Sequence, residues 1–358
     1  MKPKLLLYTK LLPKRWWEYT EQEKEILATS YDGFVCIETP SIRKQMKSFN
    51  PDLKIFFPWM PQLVPKGTEY SDWNPMRHEK GWGIPQILRD KKGSVVFDEQ
   101  RSYGHGWIDC SSQANVGWLL NRMKDSWYLQ LEDCDGFTIE LGSFIKPWPG
   151  FFPEGVQLAK PWDEFSAAWT SACSDFLPRL RALLPEPIII VGSDGLVGDC
   201  DPSNGRLVED FGLRGSWVND AVGINKRSIL DSHRYAKDGG LYTVVKQNTT
   251  TPLVEGYAAA ALWDTWYTVM NPAEKLPLLG FKDTIPLWDL SSPMEQTRTE
   301  GSSFVRKYSA GTLVVDIQNE NPTLIRFISN DPIGKGCLAF LVPSFLINMG
   351  TWEGVNMT

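Results

Sequence analysis

An α/β barrel carrying a small antiparallel β appendage is the fold class this sequence predicts. Three observations predict it: eight short apolar runs spread along the chain, helical stretches between them, and acidic residues ending several runs. Alternating strand and helix patterns build parallel sheets. Strands buried on both faces read as continuous apolar runs, and most of these do. The chain has 358 residues, which suits one barrel plus an extension, since α/β barrels run to roughly 200–250 residues as single domains.

The eight runs are Leu5–Thr9, Gly33–Glu38, Leu53–Trp59, Gly136–Leu141, Pro187–Gly192, Arg206–Asp210, Leu241–Gln247 and Thr284–Asp289. Helices are predicted between them at Glu21–Thr29, Ser41–Ser48, Ser112–Leu131, Trp162–Leu184, Val218–Ala236 and Thr251–Met270. In the third of these a Ser-Ser cap precedes Val116, Leu119, Leu120 and Met123, which share one helix face. The last opens on Thr251-Pro252, an N-cap followed by the proline favoured at N1, and meets Pro272 at its end. Residues 60–108 show no periodicity and are rich in Pro, Gly and Trp. A loop that long is usually functional, and this one follows the third strand, where it would cover the cleft. Thr312–Ile317, Leu324–Ile328 and Leu338–Val342 read as short antiparallel strands. The expected division is a barrel over 1–295 and a β extension packed on it over 296–358.

Composition excludes several classes of partner. A net charge of −6 argues against nucleic acid, whose phosphates demand a basic face. No apolar run reaches membrane-spanning length. The opening MKPKLLLYTKLLPK is too short and too broken by Lys for a secretory signal, so the expected location is the cytoplasm, or a particle assembled there. Three His without metal spacing make a metal site improbable, and no cofactor is expected. Six scattered Cys without a CxxC pair read as reduced, mostly buried thiols. Sixteen Trp supply flat apolar faces, suited equally to cores and to stacking on sugar rings.

Barrel chemistry sits at the carboxyl ends of the strands. There the runs place Glu38, Glu140, Glu209 with Asp210, Lys246 and Asp289. Converging carboxylates in a Trp-rich, metal-poor chain point to glycosidic-bond chemistry, which needs one carboxyl as proton donor and another as nucleophile or water activator. In EDCDGFTIELGSF (132–144), Asp135-Gly136 turns into a strand that delivers Glu140 to the mouth. SNGRLVEDFG (203–212) repeats the design. Neighbouring strand residues face opposite sides, so one of Glu209 and Asp210 faces inward; equal spacing from the glycine favours Glu209. The expected catalytic pair is Glu140 and Glu209. The expected substrate-binding set is Glu38, Trp59, His105, Trp107, Asp194, Trp217, Lys246 and Trp288. Trp148 is a further stacking candidate, whereas Asp199 to Gly205 fits a plain turn better than a calcium loop, its glycine falling one place late. Asn248-Thr-Thr fits a glycosylation sequon and carries little weight without a secretory signal.

Six segments in order, ILRDKKG (87–93), WIDCSSQ (107–113), DGFTIE (135–140), NGRLVEDFG (204–212), YAAAALWDTWYTV (257–269) and VRKYSAGTLVVD (305–316), resemble glycosyl-hydrolase-like (β/α)8 families related to the α-galactosidase-type barrels. The resemblance spans about residues 53–316. It implies a nucleophile ending strand four and an acid/base ending strand six, hence Glu140 and Glu209. Two positions depart from the pattern: Glu140 where Asp is usual, and Asp316 where Asn is usual. The longer Glu side chain shifts its carboxylate by about 1.5 Å, which counts against nucleophilic attack and leaves general-base chemistry open.

The sequence therefore predicts a glycoside hydrolase acting on a polysaccharide or glycan. A second reading is a non-catalytic carbohydrate-binding or structural barrel in a larger assembly such as a phage particle, in effect a virion component. A third, a Schiff-base lyase or aldolase, rests on Lys246 alone.

Overall fold

The computed structural model describes residues 3–64, 66, 83–97, 105–131, 133–139, 152–153, 155–193, 205–211, 244–248, 253–270, 277–281, 290, 292–316, 324–330 and 337–341. Eight strands, β1 (Lys4–Tyr8), β2 (Gly33–Val35), β3 (Lys54–Trp59), β6 (Gly136–Ile139), β7 (Ile189–Ser193), β8 (Gly205–Phe211), β9 (Val244–Asn248) and β10 (Trp266–Met270), pair in parallel. Their order returns to β1, so the curled sheet closes on itself. A short antiparallel pair, β4 (Leu63–Val64) with β5 (Gly106–Trp107), lies in the segment after β3. Bridges Ile87↔Ile108, Arg89↔Val95 and Phe97↔Gly106 give that segment β structure of its own, where the sequence shows none.

Helices α1 (Glu21–Ser30), α2 (Pro40–Phe49), α3 (Gln113–Gln130), α4 (Trp162–Cys173), α5 (Phe176–Leu183) and α6 (Leu253–Trp263) lie between strands. In α1 the Thr20 hydroxyl accepts from the Glu23 N–H while the Glu23 carboxylate accepts from the Thr20 N–H, a reciprocal capping box. Val116, Leu119, Leu120 and Met123 of α3 are all buried, as their spacing predicts. The Ser112 hydroxyl makes no cap bond; instead the Asp109 carboxylate accepts from the N–H and hydroxyl of Ser111. The helix predicted over 162–184 is two, α4 and α5. Pro178 has no N–H to give the carbonyl four residues back, at Ser174, so the turn breaks there. The helix predicted over Val218–Ala236 lies outside the described residues.

The largest correction concerns the eighth strand. The helix predicted over Thr251–Met270 stops at Trp263, Asp264 takes a left-handed φ of 56°, and Trp266–Met270 becomes β10. Asp tolerates that conformation better than most residues, and the sequence WYTVM that follows is aromatic and β-branched, good strand material. The eighth place in the ring thus belongs to β10 rather than to Thr284–Asp289, and 282–289 lie outside the described residues.

Ring contacts set which residues face inward. Phe137 of β6 packs on Trp127 of α3 with centroids 5.6 Å apart, so Thr138 faces the interior. Tyr267 of β10 meets Tyr257 of α6 at 5.8 Å, so Trp266 and Thr268 face the interior. Trp266 there meets Phe56 of β3 edge-on, with centroids 6.0 Å apart. Followed through its register, the sheet returns to β1 eight residues along from where it began, the stagger of an eight-stranded α/β barrel. Interior positions then fall into layers of four from alternate strands. Nearest the amino ends one layer is Gly33, Gly136, Gly205 and Trp266; above it come Leu6, Phe56, Val191 and Val244; then Val35, Thr138, Leu207 and Thr268.

Three glycines and one indole therefore share a layer. A Cβ on Gly33 would lie 2.8 Å from Cζ3 of Trp266, and one on Gly136 only 2.0 Å from the Ile189 carbonyl oxygen. The aspartates before these glycines work at the amino ends. Asp32 accepts from the Leu5 N–H at 2.8 Å and Asp135 from the Ile55 N–H at 2.9 Å. Asp135 also pairs with Lys47 and Lys54. Each Asp-Gly thus ties a neighbouring strand's start.

The carboxyl-terminal sheet is antiparallel, in the order β11 (Arg298–Glu300), β12 (Ser303–Tyr308), β13 (Gly311–Asp316), β14 (Leu324–Ser329), β15 (Cys337–Leu341). The first two strands are additions to the three expected. Buried Arg306 donates to the carbonyls of Ala261, Leu262 and Glu295 and to the Asp264 carboxylate, and Tyr308 and Thr297 donate to Ala261 and Leu262. The carbonyls of Ala261 and Leu262 in the last turn of α6 are thereby satisfied.

Trp266→Ala is expected to destabilise the protein by about 3–5 kcal/mol, because no neighbour can grow into the space above the glycines. Arg306→Met should cost about 2–3 kcal/mol through its unpaired carbonyls and Asp264. Urea denaturation followed by tryptophan fluorescence measures both.

Candidate functional site

Polarity inside the ring rises toward the carboxyl ends. The two layers nearest the amino ends contain only glycine and apolar residues, whereas Thr138 and Thr268 enter the third. The next alternate-strand layer holds the positions of Tyr8, Pro58, Ser193 and Lys246. Tyr8, Thr138 and Thr268 are fully buried, and among the described residues the Thr268 Oγ1 has no hydrogen-bond partner. A hydroxyl enclosed without a partner costs roughly 1–3 kcal/mol, so its presence calls for a reason.

The second acidic element carries an irregularity. Val208 is in register with Val245 and Phe211 with Gln247, so Glu209 and Asp210 together stand opposite Lys246. Two residues facing one is the count of a β-bulge, a device concentrated at barrel rims and beside active sites. Lys246 is in turn the register partner of Thr268 on β10.

Other predicted residues are spread more widely. Trp59 is fully buried and meets Phe137 edge-on at 5.2 Å, on the helix side of the ring. Trp107, 1% exposed, packs on Phe152, which continues through Phe165 to Trp169 of α4. Both indoles are enclosed by protein. Glu38 lies past β2, half-buried; its carbonyl accepts from Arg43, whose guanidinium also donates to the carbonyl of Gln130 at the end of α3. The Glu38 backbone is therefore held to the helix layer. His105 is half-buried immediately before β5. Glu140, Trp148, Asp194, Trp217, Trp288 and Asp289 lie outside the described residues, as do residues 199–204 of the turn and 249–250 of the sequon.

Sequence reasoning passed over Thr138, Thr268 and Gln62. The first two had a signal: each is the one polar residue of an otherwise apolar or aromatic run, GFTI and WYTVM. Gln62 follows β3 and is fully buried; neither end of its side-chain amide has a partner among the described residues, while its carbonyl accepts from the Ile108 N–H at 2.8 Å.

Among the described residues no three His, Cys, Asp or Glu gather as a metal site, and no helix is long and apolar enough to cross a membrane. Four cysteines, Cys36, Cys110, Cys134 and Cys173, are buried free thiols. Burial pushes Cys36 and Cys134 up to about 12. Cys110 is also raised, by burial first and then by its thiol's hydrogen bond with Cys173. Thiols held protonated in this way are poor nucleophiles.

No protein family and no curated protein matches the chain. Solved structures give distant likenesses. A maltogenic α-amylase, AmyB from Thermotoga neapolitana, aligns over 90% of this chain and 88% of its own at 10% identity and a TM-score of 0.45. An α-amylase from Lactobacillus plantarum aligns over 94% and 95% at 8% identity and 0.45. The α-galactosidase AgaA from Geobacillus stearothermophilus aligns over 92% of this chain but 50% of its own, at 8% identity and 0.43. At TM-scores below 0.5 these likenesses carry no inference, and the fold rests on its own strand pairing.

Alkylation of the native protein at pH 8 with iodoacetamide, mapped by mass spectrometry, should leave Cys36, Cys110, Cys134 and Cys173 unmodified. All four should react once the chain is unfolded.

Proposed function

We propose that the chain is a complete (β/α)8 barrel over 1–295 with a β extension over 296–358, and that it hydrolyses a glycosidic bond with Glu140 and Glu209. The observation that carries this reading is the interior layering. Thr138 and Leu207 hold positions in one layer on alternate strands. Glu140 follows Thr138 by two residues and Glu209 falls at the β8 register shift two residues past Leu207, which supports a place for both at the carboxyl-end mouth. The chemistry fits that position. A carboxyl over a partly apolar interior keeps its proton near neutrality and acts as the acid, while its partner stays ionised to attack or to activate water.

The substrate class is carbohydrate, recognised by hydroxyl and carboxylate groups at the mouth, with Trp217 and Trp288 as candidate stacking faces. Trp59 and Trp107, enclosed on the helix side, are dropped from that role. Glu140→Gln and Glu209→Gln keep the shape of the site and remove one ionisable oxygen each. Assayed for reducing-sugar release on a panel of α- and β-linked glycans, each variant should lose at least about 100-fold in kcat while retaining binding. Release undiminished in both variants would overturn the assignment; binding without release by the unaltered chain would make it a non-catalytic carbohydrate binder.

A further inference from the structure

We propose that Lys91, Lys92 and Lys160 form a cationic edge on the mouth side of the barrel that holds the carboxylate or sulfate groups of an acidic polysaccharide. This rests on the reading of the chain as a glycoside hydrolase and narrows its substrate to anionic glycans. The segment between β3 and α3 leaves the ring at the carboxyl end of β3, the side on which barrel sites form. Within it, a turn from Leu88 to Val96 is anchored by those two buried residues. It pairs with residues 157–158 through the bridge Asp90↔Leu158 and through the Lys91 N–H, which donates to the Gln157 carbonyl at 2.8 Å. Lys91, Lys92 and Lys160 are all exposed, and among the described residues none of them forms an ion pair.

The turn is built so that its positive charge stays outward. Gly93 takes a left-handed φ of 82°, and its N–H donates to the Asp90 carbonyl at 3.0 Å. Asp90 is the one acid between Leu88 and Val96. Its carboxylate accepts from the N–H groups of Lys92 and Ser94, each at 2.8 Å, so it holds backbone rather than a lysine. The Arg89 guanidinium donates to the Gly93 carbonyl at 2.9 Å. A backbone fixed in this way presents the lysines without an ordering cost on binding. The antiparallel register sets Lys160 level with Leu88, three residues and about 10 Å of strand from Lys91. Cations so spread meet several charges of one polymer. A neutral sugar gives them nothing to pair with, and residues 88–95 and 155–160 include no aromatic ring on which a sugar face or a base could stack. Single-stranded nucleic acid needs such rings, and a duplex needs a broader basic face than three lysines in a chain of net charge −6. An acidic polysaccharide needs neither.

The test is binding of the full chain to polygalacturonate, dextran sulfate, neutral dextran and a single-stranded oligonucleotide, at low and at physiological salt. One or both acidic glycans should bind, and the tighter of the two tells carboxylate from sulfate. The triple variant Lys91→Gln, Lys92→Gln, Lys160→Gln should lose at least about tenfold in affinity at low salt, and the slope of log K against log salt should fall by about two to three. All three side chains are exposed, so the thermal midpoint should not move. Lys44→Gln, an exposed lysine on α2, should leave affinity unchanged. Three results overturn the proposal: no affinity for either acidic glycan, an equal loss in Lys44→Gln, or an oligonucleotide bound as tightly through the same lysines. No turnover enters these measurements. A chain that binds acidic glycan and releases no sugar fails as a hydrolase alone, and one that cleaves neutral glycans without affinity for acidic ones fails here alone.

Discussion

Closure of the ring depends on how the layer nearest its amino ends is filled. In α/β barrels four side chains from alternate strands occupy each layer. Here three of the four positions are Gly33, Gly136 and Gly205, and the fourth is Trp266. One indole spans space that four medium side chains would share, touching the place above Gly33 and meeting Phe56 edge-on. The constraint is mutual. A Cβ on Gly136 would lie 2.0 Å from the Ile189 carbonyl oxygen, so glycine lets the neighbouring strand approach there, while the Trp266 indole occupies the place above Gly33. Neither half of the device works without the other.

With the base filled by hydrocarbon, the upper interior is free to be polar. Buried hydroxyls are costly anywhere, yet Thr138, Thr268 and Tyr8 gather toward the carboxyl ends rather than scattering along the axis. The barrel thereby divides its labour by height, with packing below and polar groups above. That division explains why the described tryptophans make poor markers of function: Trp59 and Trp107 serve the helix layer and the segment after β3, both outside the ring.

Much of this was legible in the sequence, for identifiable reasons. Seven strands of the ring fall where continuous apolar runs stand, since burial on both faces leaves an unmistakable pattern. The eighth was hidden because AAAALWDTWYTV has no proline or glycine between helix and strand. The break is made by one aspartate in a left-handed conformation, which spacing does not reveal. The bulge was hidden for a related reason. Alternation is a rule about a strand alone, whereas a bulge is a relation between two strands, so the register shift opposite Lys246 could not be read from SNGRLVEDFG by itself. Asp135-Gly136 was read only as a turn into its strand, and Asp32 not at all; the carboxylates of both also bind the starts of neighbouring strands at the amino ends.

The carboxyl-terminal sheet takes on a different meaning once β10 is recognised. Arg306, Tyr308 and Thr297 all bind the last carbonyls of α6, directly before the left-handed turn at Asp264. Two residues later the chain enters the strand that carries Trp266 and Thr268. A helix end with unsatisfied carbonyls frays, and fraying here would loosen the entry into the strand that closes the ring. The Arg306 guanidinium answers both needs, capping the carbonyls and fixing Asp264 by its carboxylate. The sheet also adds Phe304, Leu313 and Phe327 to the same apolar core as the ring. It therefore acts as a clasp on the final strand: by holding α6 and Asp264 it keeps Trp266 over the glycines, and by the same register it keeps Thr268 level with Lys246.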